Sequence, residues 1–337
     1  MLGRAEALPG QCLGGWRSGL GWRLPARWAK ARQLLVVGVG GSAIGGDLLQ
    51  GVARSCLNRP VIVNRSYRIP AWVGTDTLVL VSSYSGNTEE TLSAGQEAAR
   101  RGAKLVALTS GGRLARWAQA KGLPLLQIPA GWPPRAAFGG MAFAPLGMLV
   151  RMGWLRKRDL PVERACDRME VFVGDALNRS IPTRRNPAKR LACSLMGRLP
   201  VIYAASDGWE GVAYRWRTQL EENSKTLAFH HIFPEATHNE ISGWLQPRSL
   251  MRHCAAVFLT DPAVHPRTRR RMLFTSRIIR EQGARVLRAG CPGGSALARM
   301  LGLIALGDFT SVYLGLLYRQ DPTPVVRVEA LKRYLKR

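Results

Sequence analysis

Three short segments hold the residue types that handling a small anion requires. SSYSGNTEET, Ser82 to Thr91, follows the apolar run TLVLV and leads into a helical stretch opening on Glu89 and Glu90. Ser83, Ser85 and Thr88 place three hydroxyls and several backbone N–H groups around one point, a cradle sized for a phosphate monoester. Helix capping alone would use one of these hydroxyls and leave the other two unexplained. GVGGSAIGGD, Gly38 to Asp47, follows the strand-like LLVV, where glycines allow a sharp turn and a helix N-terminus offers free N–H groups. Gly38, Gly40 and Ala43 also satisfy a relaxed dinucleotide pattern, with Arg65 where a 2′-phosphate partner would stand, and a plain tight turn is a third reading.

The third segment, WRTQLEENSKTLAFHHIFPEATHNEISGW, spans Trp216 to Trp244 and gathers acids, amides and histidines. An acid at a helix end and a histidine 16 residues later, separated by a strand-like return, could face one cavity as a carboxylate base and its imidazole partner. Hydration of one helix face accounts for Glu221 but less well for the THNE turn. Arg135, in the proline-held loop GWPPRAAFGG, could reach a substrate oxygen or developing negative charge; a solvated loop arginine is the alternative.

The elements that must position these groups read as a repeating α/β pattern. Short buried-strand runs are expected at 34–38, 60–64, 77–82, 104–109 and 123–129, and again at 199–205, 254–260 and 284–289, which implies parallel sheets. Helices are expected over 208–224, 265–282 and 294–317, with a last one after Pro322. The chain divides into a first unit over 1–155, a charged helical connector over 156–198, and a second unit over 199–337.

Composition narrows the classes. The 337 residues are 46% hydrophobic and 21% charged, a globular balance rather than a disordered one. The longest uncharged apolar run, Ala136 to Val150, is short for a bilayer and contains Gly139, Gly140 and Pro145, so a soluble protein is expected. The N-terminus lacks the core of a secretory signal, which makes the cytoplasm the default. Cys12, Cys56, Cys166, Cys193, Cys254 and Cys291 form no metal-ligand spacing, and reduced, mostly buried thiols are expected. The net charge of +27 invites an anionic partner, but the basic residues are spread along the chain without a nucleic-acid motif. Only 8 of the 49 are lysine, a skew that fits GC-rich coding better than a binding face.

GVGGSAIGGD, SYSGNTEET, the Pro-Arg-Ala loop, the EEN-SK and PE-THNEI-GW block and the closing DPTPV…LK, together and in this order, resemble the bifunctional phosphoglucose/phosphomannose isomerases. The resemblance covers essentially the whole chain. It implies two tandem SIS-type, flavodoxin-like domains with a C-terminal helix, and a cofactor-independent, metal-free aldose–ketose isomerase of hexose 6-phosphates working through a cis-enediol. It further implies that Gly40, Gly41 and Ser42 approach the sugar and that Ser83, Ser85 and Thr88 hold its phosphate. Arg135 is implied beside the reacting carbons and Glu222 as the base between C2 and C1. His238 is implied in ring opening, entering from the neighbouring subunit of a homodimer, with Lys332 assisting and Thr323 linked to tolerance of both C2 epimers. Where the family carries Asn-Glu-Asn, this chain has Glu221-Glu222-Asn223, and Phe138-Gly139-Gly140-Met141 replaces a Leu-Gly-Tyr-Ser-like run. The rival readings are a non-catalytic SIS-type phosphosugar-binding protein and an NADP-dependent enzyme using Gly38 to Ala43.

Overall fold

The computed structural model describes residues 1–291 and 293–335. Two parallel sheets account for the strand runs. β1 (Gln33–Val37), β2 (Val61–Asn64), β3 (Thr77–Ser82), β4 (Lys104–Thr109) and β5 (Leu125–Gln127) form the first, in the order β2-β1-β3-β4-β5. β6 (Leu199–Ala205), β7 (Phe229–Phe233), β8 (Cys254–Leu259) and β9 (Arg285–Ala289) form the second, in the order β7-β6-β8-β9. The first order is the doubly wound flavodoxin-like one, and the second repeats it without its last strand. Every residue of β3 and β8 is buried, as strands covered by helices on both faces require.

β7 departs from the expected pattern of apolar runs. Its sequence is FHHIF, and as an edge strand it buries only Phe233 fully, so two histidines stand where a central strand would need aliphatics.

Two helices that composition left unmarked, Leu8–Gly21 and Phe138–Arg151, pack backbone to backbone. A Cβ at Gly19 would lie 2.1 Å from the Ala144 carbonyl oxygen, and one at Gly147 would lie 2.5 Å from that of Trp16. The glycines that weaken the helical signal therefore make the contact possible.

The 156–198 segment is more than a connector. Its helices Val162–Phe172 and Pro187–Leu195 pack on the helix Ala296–Leu317, and Val162, Ala165, Leu191 and Leu195 join a core shared with both sheets. The helix Ala296–Leu317 is also long and apolar enough to cross a membrane by length and composition, although Arg299 and Asp308 interrupt it. It is the central helix of the second half: 89% of its apolar window is buried, and its Asp308 pairs with Arg215 inside the protein.

Candidate active site

β1 and β3 are neighbours, yet the chain leaves them to opposite sides of the sheet order, so a crevice opens beyond their C-terminal ends. Both glycine- and hydroxyl-rich loops lie there, one between β1 and the helix Gly41–Ala53, the other between β3 and the helix Glu89–Arg100. They are stitched together by the Tyr84 N–H, which donates to Ser42 Oγ at 3.0 Å. Ser83 Oγ lies 3.0 Å from Thr88 Oγ1 and accepts from the Gly86 N–H, while Ser85 Oγ accepts from the Asn87 N–H.

Thr88 occupies the N-cap position of Glu89–Arg100 without a side-chain capping bond. The first-turn N–H groups thus take no capping bond from Thr88, while the three hydroxyls bond within the loop itself. Gly86 makes the tight turn possible with φ of +68°, and a Cβ there would lie 1.8 Å from the Gly111 carbonyl oxygen. If this loop holds the phosphate, Ser83→Ala should raise KM about 10- to 100-fold and leave kcat within about threefold, since a hydrogen bond to a charged group is worth about 1.5–3 kcal/mol. A KM like that of the wild type would remove the loop from binding.

Gly40 turns the first loop with φ of +56°, and Gly41 brings it against the Pro133–Pro134 turn, where a Cβ would approach the Pro134 carbonyl oxygen at 3.0 Å. That contact places Arg135, which is buried and not a solvated loop side chain, between the two halves. Its Nε donates to Asn223 Oδ1 at 2.7 Å, Nη1 to Glu222 Oε2 at 3.2 Å, and Nη2 to the carbonyls of Pro322 and Thr323. Four of the five guanidinium N–H groups are used, and one on Nη1 remains beside the half-buried Glu222 carboxylate. Burial lowers the Arg135 pKa and the Glu222 carboxylate opposes that shift, so the group stays charged. Thr323 is thereby held at the site through its own carbonyl.

Lys225, to which no role was assigned from sequence, donates to the Glu222 and Pro324 carbonyls and ties the helix end to the same turn. The extra carboxylate of Glu221 lies 3.7 Å from the Arg217 guanidinium on its own helix, and burial raises its pKa.

His238 is elsewhere. The helix Glu210–Asn223 runs back from the C-terminal to the N-terminal edge of the second sheet, and β7 then returns to the C-terminal edge before His238. A helix of that length spans about 20 Å, so Glu222 and His238 lie at opposite edges of one sheet. Within one chain the intervening strand therefore separates them.

The rest of the THNE turn serves as an anchor. Tyr203 O–H donates to Glu240 Oε1, Trp244 Nε1–H donates to Tyr203 Oη at 2.8 Å, and His231 Nδ1 lies 2.8 Å from Glu240 Oε2. Arg271 Nη1 donates to Thr237 Oγ1 at 2.7 Å, and Asn239 Oδ1 accepts from the Glu240 N–H. His238 alone in this turn is exposed with no side-chain partner among the described residues. Lys332 is likewise exposed, on the helix Val326–Tyr334, which buries none of its residues.

Arg65, the residue that favoured a dinucleotide phosphate, is paired with Asp47 and stacked 5.0 Å from the Tyr214 ring centroid. His230, half-buried 5.2 Å from the same ring, has its pKa lowered to about 4 by burial, reinforced by Arg217, His231 and Arg65. The unfolded chain takes up that proton first, near pH 6.5, so this contribution to stability is complete above about pH 6.5 and is lost as pH falls toward 4. His230→Asn should flatten the decline in thermal stability over that window by about 1–2 kcal/mol, partial solvent exposure having reduced the full linkage value. An unchanged slope would assign the acid sensitivity to other groups.

The profile of the bacterial phospho-glucose isomerase C-terminal SIS domain matches residues 184–335. A bifunctional phosphoglucose/phosphomannose isomerase from Caldicellulosiruptor bescii is 43% identical over 90% of this chain and 89% of its own. One from Aquifex aeolicus is 33% identical over 90% of each chain. Among solved structures, a hypothetical protein of Thermus thermophilus superposes with a TM-score of 0.72 at 17% identity, over 98% of this chain and 89% of that one, which supports the fold alone. With these similarities along nearly its full length, the chain belongs to the bifunctional phosphoglucose/phosphomannose isomerase family.

Proposed function

We propose that this protein interconverts fructose 6-phosphate with glucose 6-phosphate and mannose 6-phosphate, without metal or redox cofactor. The observation that carries the reading is the Glu222–Arg135 pair, one carboxylate and one buried guanidinium at 3.2 Å. The open-chain sugar is gripped at its phosphate by Ser83, Ser85, Thr88 and the first-turn N–H groups, with Gly40, Gly41 and Ser42 close to the sugar. Glu222 takes the proton from C2 of the aldose, or from C1 of the ketose, and returns it to the other carbon of the cis-enediol. The free N–H of Arg135 Nη1 answers the charge that develops on the substrate oxygen. The distant phosphate grip contributes positioning rather than chemistry.

We further infer a homodimer in which His238 of one protomer completes the site of the other. The separation of His238 from Glu222 within one chain, and its exposure at the end of an anchored turn, support this. Lys332 on the uncovered last helix assists ring opening in the same reading, and Thr323, fixed through Arg135, borders the carbon whose epimers are both accepted. The units 1–155 and 199–337 then supply phosphate grip and base respectively, joined through 156–198. The chemistry of a hexose phosphate pool fits the cytoplasm.

A coupled assay supplied with fructose 6-phosphate should yield both glucose 6-phosphate and mannose 6-phosphate. Tight binding of the sugar phosphate with neither product would favour a binding protein. Tight NADP binding that survives Ser83→Ala would favour the dinucleotide enzyme, whose strongest support is lost now that Arg65 pairs with Asp47.

A further inference from the structure

Arg215 and Asp308 form a forked ion pair in the middle of the protein, Nε to Oδ1 at 2.9 Å and Nη2 to Oδ2 at 2.6 Å. Arg215 is 1% exposed and Asp308 6%, and Asp308 interrupts an otherwise apolar stretch of the helix Ala296–Leu317. Taking two charges out of water is costly, and well-packed apolar residues of the same volume hold a core equally well. Stability alone therefore gives no reason for the pair.

Its second set of contacts does. Arg215 Nη2 also donates to the Arg135 carbonyl at 3.2 Å, and Gln219 Nε2 donates to the same oxygen at 3.2 Å. Asn223, which accepts from Arg135 Nε, donates to Gln219 Oε1 at 2.8 Å and to Ser311 Oγ at 2.9 Å. Ser311 Oγ in turn donates to the Asp308 carbonyl at 2.7 Å. Arg215, Gln219 and Asn223 recur at i, i+4 and i+8, so one face of the helix Glu210–Asn223 grips Arg135 at both its carbonyl and its guanidinium. The Phe138 ring lies 4.3 Å from the Arg215 guanidinium carbon and closes the remaining side.

We propose that Arg215, locked in place by Asp308, is a positioning residue: it fixes the Arg135 main chain so that the single free guanidinium N–H is aimed at the substrate oxygen that becomes charged. The proposal rests on the isomerase reading of Glu222 and Arg135. Its consequence is a defect confined to the transition state, because the phosphate cradle is carried by other elements.

The test replaces both partners, Arg215→Met with Asp308→Leu, so that no buried charge is left unpaired. Three quantities are compared with the wild type: kcat and KM for fructose 6-phosphate, inhibition by a five-carbon hydroxamate 5-phosphate that mimics the charged enediolate, and inhibition by glucitol 6-phosphate, an uncharged-chain polyol with the same phosphate. The proposal predicts a fall in kcat of about 100-fold, the scale of a misplacement near 1 Å. KM and glucitol 6-phosphate inhibition should stay within about threefold, while the hydroxamate weakens in parallel with kcat. Should the double variant fold poorly, Arg215→Lys keeps the charge but loses the fork and the reach to Arg135, and the same split is expected. Unchanged kcat in a folded variant, or equal weakening of both inhibitors, would overturn the positioning role. Failure of the isomerase reading is seen separately, as a wild type that makes no product.

Discussion

Glu222→Gln is expected to reduce isomerisation by about 10²–10⁴-fold, the range a positioned general base supplies, with KM changed by no more than a few-fold. Glutamine keeps the shape of the side chain and can still accept from Arg135 Nη1, so the network through Asn223 and the Pro322–Thr323 carbonyls has no reason to collapse. What disappears is the carboxylate beside the free guanidinium N–H. The variant should fold with the thermal stability of the parent to within about 1 kcal/mol, since the lost partner is a half-exposed charge. Steady-state kinetics with fructose 6-phosphate check the size of the effect. Activity within tenfold of the wild type would place the base elsewhere, with the neighbouring Glu221 the first alternative to replace.

The second large effect tests the proposal that one site is assembled from two chains. Glu222 and His238 lie at opposite edges of the second sheet, separated by the length of the helix Glu210–Asn223. His238→Ala should therefore slow turnover of ring-closed substrate strongly while leaving Glu222 intact in every subunit. When His238→Ala and Glu222→Gln chains are unfolded together and reassembled, half the dimers are mixed. Each mixed dimer has one doubly defective site and one with both groups native. Activity should return to about a quarter of the wild-type level, far above either variant alone. Mixed dimers no more active than the parents would show that each chain completes its own site or that His238 has no part in the reaction.

How much of this was legible from residue order follows from the range over which each feature is built. The proposed hydroxyl cradle is local: Ser83, Ser85 and Thr88 share one loop, which the sheet order β2-β1-β3-β4-β5 sets at the crevice. The parallel sheets were readable where strands are buried on both faces, as in β3 and β8, but the edge strand β7 was not, because exposure admits two histidines. Residues 8–21 and 138–151 escaped as a helix pair for a related reason. Their glycines depress helix propensity in isolation and become useful only when a second backbone presses against them.

Long-range pairing was harder. Nothing local distinguishes Arg215 from the other arginines of so basic a chain, and Asp308 sits among leucines some ninety positions away; only their contact, Nη2 to Oδ2 at 2.6 Å, gives either a meaning. Glu222 and His238 show how far sequence spacing can mislead about distance within one chain. Sixteen positions apart, with a strand-like segment between, they suggested one cavity, whereas an intervening strand of five residues carries the second group to the far edge of its sheet. The acids and amides that crowd the THNE turn turned out to be committed to holding it, with Glu240 bound by Tyr203 and His231, which leaves His238 as the side chain the turn presents.

The +27 charge is mostly unrelated to the proposed phosphate cradle, which is built of hydroxyls and backbone N–H groups rather than arginines. Arg135 and Arg215, the two arginines that matter most there, are among the most deeply buried.

The central claim is proton transfer at C2 by a single carboxylate, and it is tested most directly by incubating the wild-type protein with fructose 6-phosphate in deuterated water and locating the label by NMR. The account predicts deuterium at C2 of both glucose 6-phosphate and mannose 6-phosphate, because Glu222 exchanges its proton with solvent during the life of the enediol, and none with Glu222→Gln. Product formed with full retention of the C1 hydrogen and no solvent label at C2 would indicate an internal hydride shift and contradict it.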